Sequence, residues 1–489
     1  MSQFLFLRAL AVERYGMSRI LRLLPREDLL SCAGASRHLR HLAFTILYRD
    51  FTFVIHLPLE PIQDAGDAGE TGDAMARSRR SSPTVVPNSA VEREVTSLDD
   101  VAVFLRRHAH ILTYIKSLDL RVPPSKSEDV AVGPSRFSDA STFIAILHLA
   151  PRLENLWLTD ILLTGTATYT GTLIAEQHWS LLTLRHVCLQ LSYRWRAPGV
   201  PPPDLLRNLL MPFGTIADLR IRCWRAPMDV LDPLPQHLRL HALTLDDRVS
   251  MHPLFAQLAR HPLVRLLRRL DFQDEVPGSP EEVCGALYEL LDAAGAQLEH
   301  FAFGALTLQR AFLGGDKWKN EYRKALADRV CARFDPARLA SLALHVLLWG
   351  EEYDHYYTSD RMHNIWTDAI DVLECMRTSS PAAVAGVRTI TVKINAWAVH
   401  DAAALKARIV RHKYVRDRLE TELLRWRKEL GLQRVVVEFL DSSDLALGEE
   451  RWAVLHGPQL MFPRLRKKGL LHHQDLQILE ERWIHRSDE

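Results

Sequence analysis

The chain has 489 residues, 47% apolar and 25% charged, which excludes wholesale disorder and collagen-like or low-complexity classes. With 61 Lys and Arg against 60 Asp and Glu, the formal net charge is +1, so no global field draws in nucleic acid or an anionic membrane. That length admits several domains or one long repeat array.

From Met1 to Ile62, Leu, Ile, Phe and Arg recur at helical spacing, and Arg8 breaks the short apolar run MSQFLFLRAL before it reads as a secretion signal. Within Ile20 to Phe53, Pro25 ends one predicted helix and Asp28 is placed to cap the next. Two helices with a tight turn follow, and Leu29, Leu30, Ala33, Leu39, Leu42, Ala43 and Leu47 supply an apolar stripe around the second and third helices. The composition changes at Gln63. Residues 63–94 are dominated by Gly, Ala, Ser, Asp and Pro and predict a disordered linker, with RSRRSSP at 77–83 as a possible phosphate acceptor or import signal.

From about residue 95 a pattern LxxLxL recurs ten times. Its middle residues are Leu118, Leu156, Val187, Leu219, Leu243, Leu270, Phe301, Leu342, Ile390 and Val435, a spacing of about 35 residues. Helical patterns lie between, as in 143–153, 253–270 and 281–298. Each unit reads helix, turn, short strand, with the last two apolar positions facing stacked helices and their neighbours facing outward. The predicted fold class is α/β: an all-α N-terminal module at 1–62, then at 95–489 an irregular leucine-rich-repeat-like solenoid with a curved parallel sheet, outer helices and a C-terminal helical cap. A compact α/β domain, with LxxLxL as an ordinary buried strand, is the alternative.

Outward positions define the predicted recognition face, with Trp157, Arg220, Arg222, Asp271, His345 and Lys393 as the candidate substrate-binding residues. Ser117, Asp119, Arg121, Asn155, His186, Asp218, Arg269 and His300 share that face. The acidic and histidine-rich segment 350–366 has no metal-ligand spacing and predicts a surface loop, and residues 401–431 predict a charged helix ending at Gly431. Phosphate-loop, dinucleotide, GxSxG and HExxH motifs are missing in context, which lowers an enzyme to a third reading. No cofactor and no metal are expected. Six scattered cysteines without a CxxC pair read as reduced thiols of the cytoplasm or nucleus.

The N-terminal stretch resembles an F-box. The residues that carry the resemblance are Ile20, Leu21, Leu24, Pro25, Asp28, Leu29, Leu30, Ser36, Leu47 and Tyr48; the family's opening Leu-Pro-x-Glu is replaced by Val12, Glu13, Arg14 and Tyr15. Followed by leucine-rich-type repeats, the chain is similar to the F-box proteins that fungi carry in large, divergent sets. The resemblance implies a substrate-recognition subunit of a cullin-RING ubiquitin ligase. Those ten residues would dock on the SKP-family adaptor and through it a cullin, while the repeats would bind a protein substrate. The alternative is a repeat scaffold for protein–protein interaction that acts outside any ligase, with a degenerate F-box that no longer docks. On a plainer reading, the helical stripe is an N-terminal cap on the repeat array.

Overall fold

In the computed structural model, the described residues are 21, 24, 26–56, 90–123, 137–164, 172, 174–175, 180–190, 205–222, 234–245, 251–272, 280–304, 329–347, 359–395, 403, 406–407, 410, 413–440 and 461–473. Helices α1 (Arg26–Ala35) and α2 (Arg37–Leu47) lead into strands β1 (Asp50–Ile55) and β2 (Ala90–Val95). There follow α3 (Leu98–Arg107), β3 (Ser117–Arg121), β4 (Phe137–Asp139), α4 (Ala140–Leu149), β5 (Asn155–Thr159), β6 (Leu162–Thr164) and β7 (Leu182–Gln190). Then come α5 (Leu205–Leu210), β8 (Phe213–Arg222), β9 (Arg239–Leu245), α6 (Met251–Arg260), β10 (Arg269–Phe272), α7 (Pro280–Ala294), β11 (His300–Gly304) and β12 (Ser341–Leu347). The last elements are α8 (Ser359–Ser379), β13 (Thr389–Asn395), α9 (Lys413–Leu430), β14 (Arg434–Leu440), α10 (Pro463–Lys467) and β15 (Leu471–His473).

The fold is mixed α/β around one 13-stranded sheet, in which β1, β3, β5 and β7 to β15 lie side by side in chain order and β2 flanks β1 at the edge. Each pairing in it is parallel. All ten LxxLxL segments are strands of this sheet, and their middle residues are in register from Leu118 to Val435. Phe51 and Leu471 continue that row at its two ends. Wherever the side chain is described, all three apolar positions of each segment are buried, with at most 8% of their surface exposed. They form one core with the apolar stripes of α3 to α9. A strand side chain on this row is covered by helices, which is why period two on one face alternates with period 3.6 between strands.

Local chemistry sets the helix ends. Ser97 caps α3 by accepting from the Asp100 amide, and Asp139 caps α4 by accepting from Ser141. Gly431 (φ 75°) stops α9 where the sequence places its end, in the left-handed conformation that glycine adopts without strain. No helix among the described residues is long and apolar enough to cross a membrane.

Three expectations require correction. Asp50–Ile55, placed in the all-α module, is a strand paired with β3 in the main sheet. Ala90–Val95, read mostly as linker, is the strand that flanks it. Among the described residues after β14, the expected C-terminal helical cap comprises one short helix, α10, followed by a further strand, β15, paired to β14. RSRRSSP and residues 350–358 lie outside the described residues.

Candidate functional site

Two groups of residues were expected to carry function, and the fold separates them. The first is the helical pair α1–α2, which has its own small core of Leu21, Leu29, Ala33, Ala43 and Leu47. Ser36 is the N-cap of α2, its hydroxyl accepting from the Leu39 amide at 3.1 Å. Asp28 does not cap α1. That helix already begins at Arg26, so Asp28 lies in the first turn, where its charge complements the helix dipole. Leu21, Leu29 and Leu47 are interior and cannot meet an adaptor directly; their place is to hold the two helices together. Leu24 is half-buried, whereas Asp28 and Leu30 are exposed, Leu30 by 47%. Tyr48 packs edge-on to Phe44 and stacks on Phe51, tying the helical pair to the first strand. His41 and Phe44 of α2 also meet Tyr114. Ile20 and Pro25 lie outside the described residues.

The second group lies on the sheet face opposite the helices. Between the two inward rows runs a row that includes Asp119, Trp157, Cys188, Arg220, Thr244, Asp271, Ala302, Ala343 and Thr391. Flanking rows carry Ser117, Asn155, His186 and Asp218 on one side and Arg121, Thr159, Gln190 and Arg222 on the other. The face was expected to be solvated, yet Ser117, Asp119, Asp271, His345, Thr391 and Lys393 are buried. The buried charges among them are paired, Asp271 with His345 and Lys393 and Asp119 with Arg121, as buried charge requires.

Near the β3 side, Arg121 Nε donates to Asp119 Oδ2 at 2.7 Å and Asn155 Nδ2 to Ser117 Oγ at 3.2 Å. The Trp157 and His186 rings lie 5.6 Å apart, and His186 Nδ1 pairs with Asp218 Oδ2 at 3.2 Å. Burial would raise the Asp218 carboxyl, but the His186 hydrogen bond and charge, with Arg269 and Arg220, hold it below its ordinary value. Arg220 and Arg222 project from the same face of β8, both half-buried.

Three of the six residues singled out for substrate binding converge on one carboxylate. His345 Nε2 donates to Asp271 Oδ1 at 2.8 Å, and Lys393 Nζ donates to Asp271 Oδ2. They come from β10, β12 and β13. Ala302, Ala343 and Gly304, at register positions beside them, are small enough to let the long side chains lean across. Arg269 reaches the same carboxylate only at 3.5 Å. Burial opposes ionisation of Asp271, yet the Lys393 ammonium and the His345 hydrogen bond hold its carboxyl well below the usual range. Next to it, His300 Nδ1 shares a 2.6 Å hydrogen bond with Ser341 Oγ. Burial, then the Arg269 cation, push the His300 imidazole down to about 3.

No protein-family model, curated protein or solved structure matches this chain.

The site therefore rests on geometry. Trp157 and the Arg220–Arg222 pair are on the same face as the Asp271 cluster: Arg220 and Asp271 share one row with Thr244 of β9 between them, and Trp157 lies two strands beyond Arg220, on β5. Ser341 was overlooked as a participant. It occupies the position before the middle apolar residue of its unit, the position that also supplies His186, Asp218, Arg269 and His300. Among the described residues, no group of three or more His, Cys, Asp or Glu is arranged to hold a metal ion.

Proposed function

We propose that the chain is a binding receptor built as an α/β solenoid, the substrate-recognition subunit of a cullin-RING ubiquitin ligase. In this reading α1–α2 dock on the SKP-family adaptor, and the polar sheet face takes a protein substrate in the cytoplasm or nucleus. The observation that carries it is the unbroken run of parallel strands in chain order, apolar toward the helices on one face and polar on the other. Repeat proteins with that organisation act through the extended surface their units share. The helical pair at one end leaves Leu30 exposed beside the acidic first turn of α1.

The test is a pull-down of the full chain with a purified SKP-family adaptor. Leu30→Asp is the diagnostic variant, because Leu30 is exposed and its replacement leaves the module's core intact; Leu29 would be a poor choice, being 1% exposed. Capture by the wild type, lost in Leu30→Asp at unchanged circular dichroism, is the expected result. Failure of well-folded wild type to bind overturns the ligase assignment and leaves a repeat scaffold for protein–protein interaction.

A further inference from the structure

We propose that Arg269, His300 and Ser341 form an oxyanion-binding site on the sheet face, which takes a carboxylate or phosphate group of the bound ligand. The inference rests on the reading of that face as the binding surface and adds the chemistry it recognises.

The three residues stand at matching register positions on β10, β11 and β12, neighbours at the roughly 4.8 Å strand spacing of a sheet. Asp271 is already engaged by His345 and by Lys393, and the Arg269 guanidinium, which also acts on Asp218, reaches it only at 3.5 Å. Its side chain is 46% exposed and can turn to a ligand without uncovering a buried charge. Glu438 stands beside Lys393 in register, two strands beyond β12. Arg269, Lys393 and His345 act on His300 as cations and Asp271 opposes them, a field that favours an anion.

The imidazole supplies the second donor. We assign the Ser341 hydroxyl as the donor to Nδ1 across their 2.6 Å contact, which places the single proton of the neutral ring on Nε2. Nε2 is shielded from solvent and has no hydrogen-bond partner. An unmet buried donor is unfavourable, and an oxyanion that accepts from it removes that penalty. Ser341 is a positioning residue: it sets the tautomer and does not touch the ligand.

The experiment uses the full chain and simple anions at matched ionic strength, with sodium chloride as reference. Inorganic phosphate and succinate are titrated by calorimetry and by thermal shift. Saturable binding by the wild type is expected, weakened about tenfold or more in Arg269→Gln and in His300→Gln, as the loss of one charge-assisted hydrogen bond requires. Phosphate binding alone identifies a phosphoryl ligand, and succinate binding alone a carboxylate ligand. Ser341→Ala is expected to weaken binding and to shift the His300 nitrogen NMR signals toward the other tautomer. Absence of saturable binding in folded wild type, or equal binding by wild type and both variants, overturns the site. Adaptor capture is read separately on the same preparation, so loss of this site and loss of the ligase reading are distinguishable.

Discussion

At the scale of single residues, His300 links the polar face to pH. Its imidazole is held down to about 3, against 6.5 for the free side chain. Between those values the unfolded chain binds a proton that the folded chain does not. The stability His300 contributes is therefore complete above about pH 6.5 and is lost progressively as pH falls toward 3. His261, depressed by burial, acts with the same sign. Urea unfolding at pH 7, 5.5 and 4 is expected to show a shallower acid-side decline in His300→Gln than in wild type; parallel declines would refute the assignment. The outward projection of Asp271, His345 and Lys393 was legible from strand alternation. Their convergence was not, because it depends on Ala302, Ala343 and Gly304 leaving room across three strands, and no spacing within one strand records that.

Among elements, the two ends of the chain differ in how much the sequence disclosed. Helices α1 and α2 were legible from their apolar residues; the Ser36 cap of α2 emerged only in the structure. Strand β1 was not, since DFTFVI lacks the leading LxxL and follows a helix without a break. Strand β2, AVEREV, was hidden by its charges, which suit an edge strand and mimic a linker. At the other end, α10 depends on a residue far from it. Glu420 of α9 accepts from the Arg464 and Leu465 amides through one carboxylate oxygen, with Pro463 opening the helix. Glu420→Ala removes this remote cap and is expected to destabilise α10 and β15 by about 1–2 kcal/mol. Hydrogen exchange should accelerate at 463–473 and stay unchanged in β3 to β8; uniform acceleration would contradict a local cap. The α8–α9 seam has its own tie, with Arg377 Nε donating to Glu422 Oε1 at 2.6 Å and a second nitrogen donating to Glu429.

For the whole molecule, the in-register apolar row makes stability a matter of neighbours. Leu243 on β9 and Ile390 on β13 are both at most 1% exposed and are separated by β10, β11 and β12. Alanine at either is expected to cost about 2–5 kcal/mol. The double variant should lose the sum of the two within about 0.5 kcal/mol, because distant sites that share no partner do not couple. A large coupling energy in denaturant titrations would mean that the sheet responds as a single unit. The ten strands and their buried positions could be read from the chain because a period of two is local; the bulge at Leu182/Thr183 could not. From β3 to β15 the main sheet grows in the order in which its strands are translated, and each new strand meets a template already present as it leaves the ribosome. Among the described strands of the sheet β2 alone departs from this order: it follows β1 in the chain but lies on the side of β1 away from β3, so β1 is enclosed on both sides once residue 121 has been made.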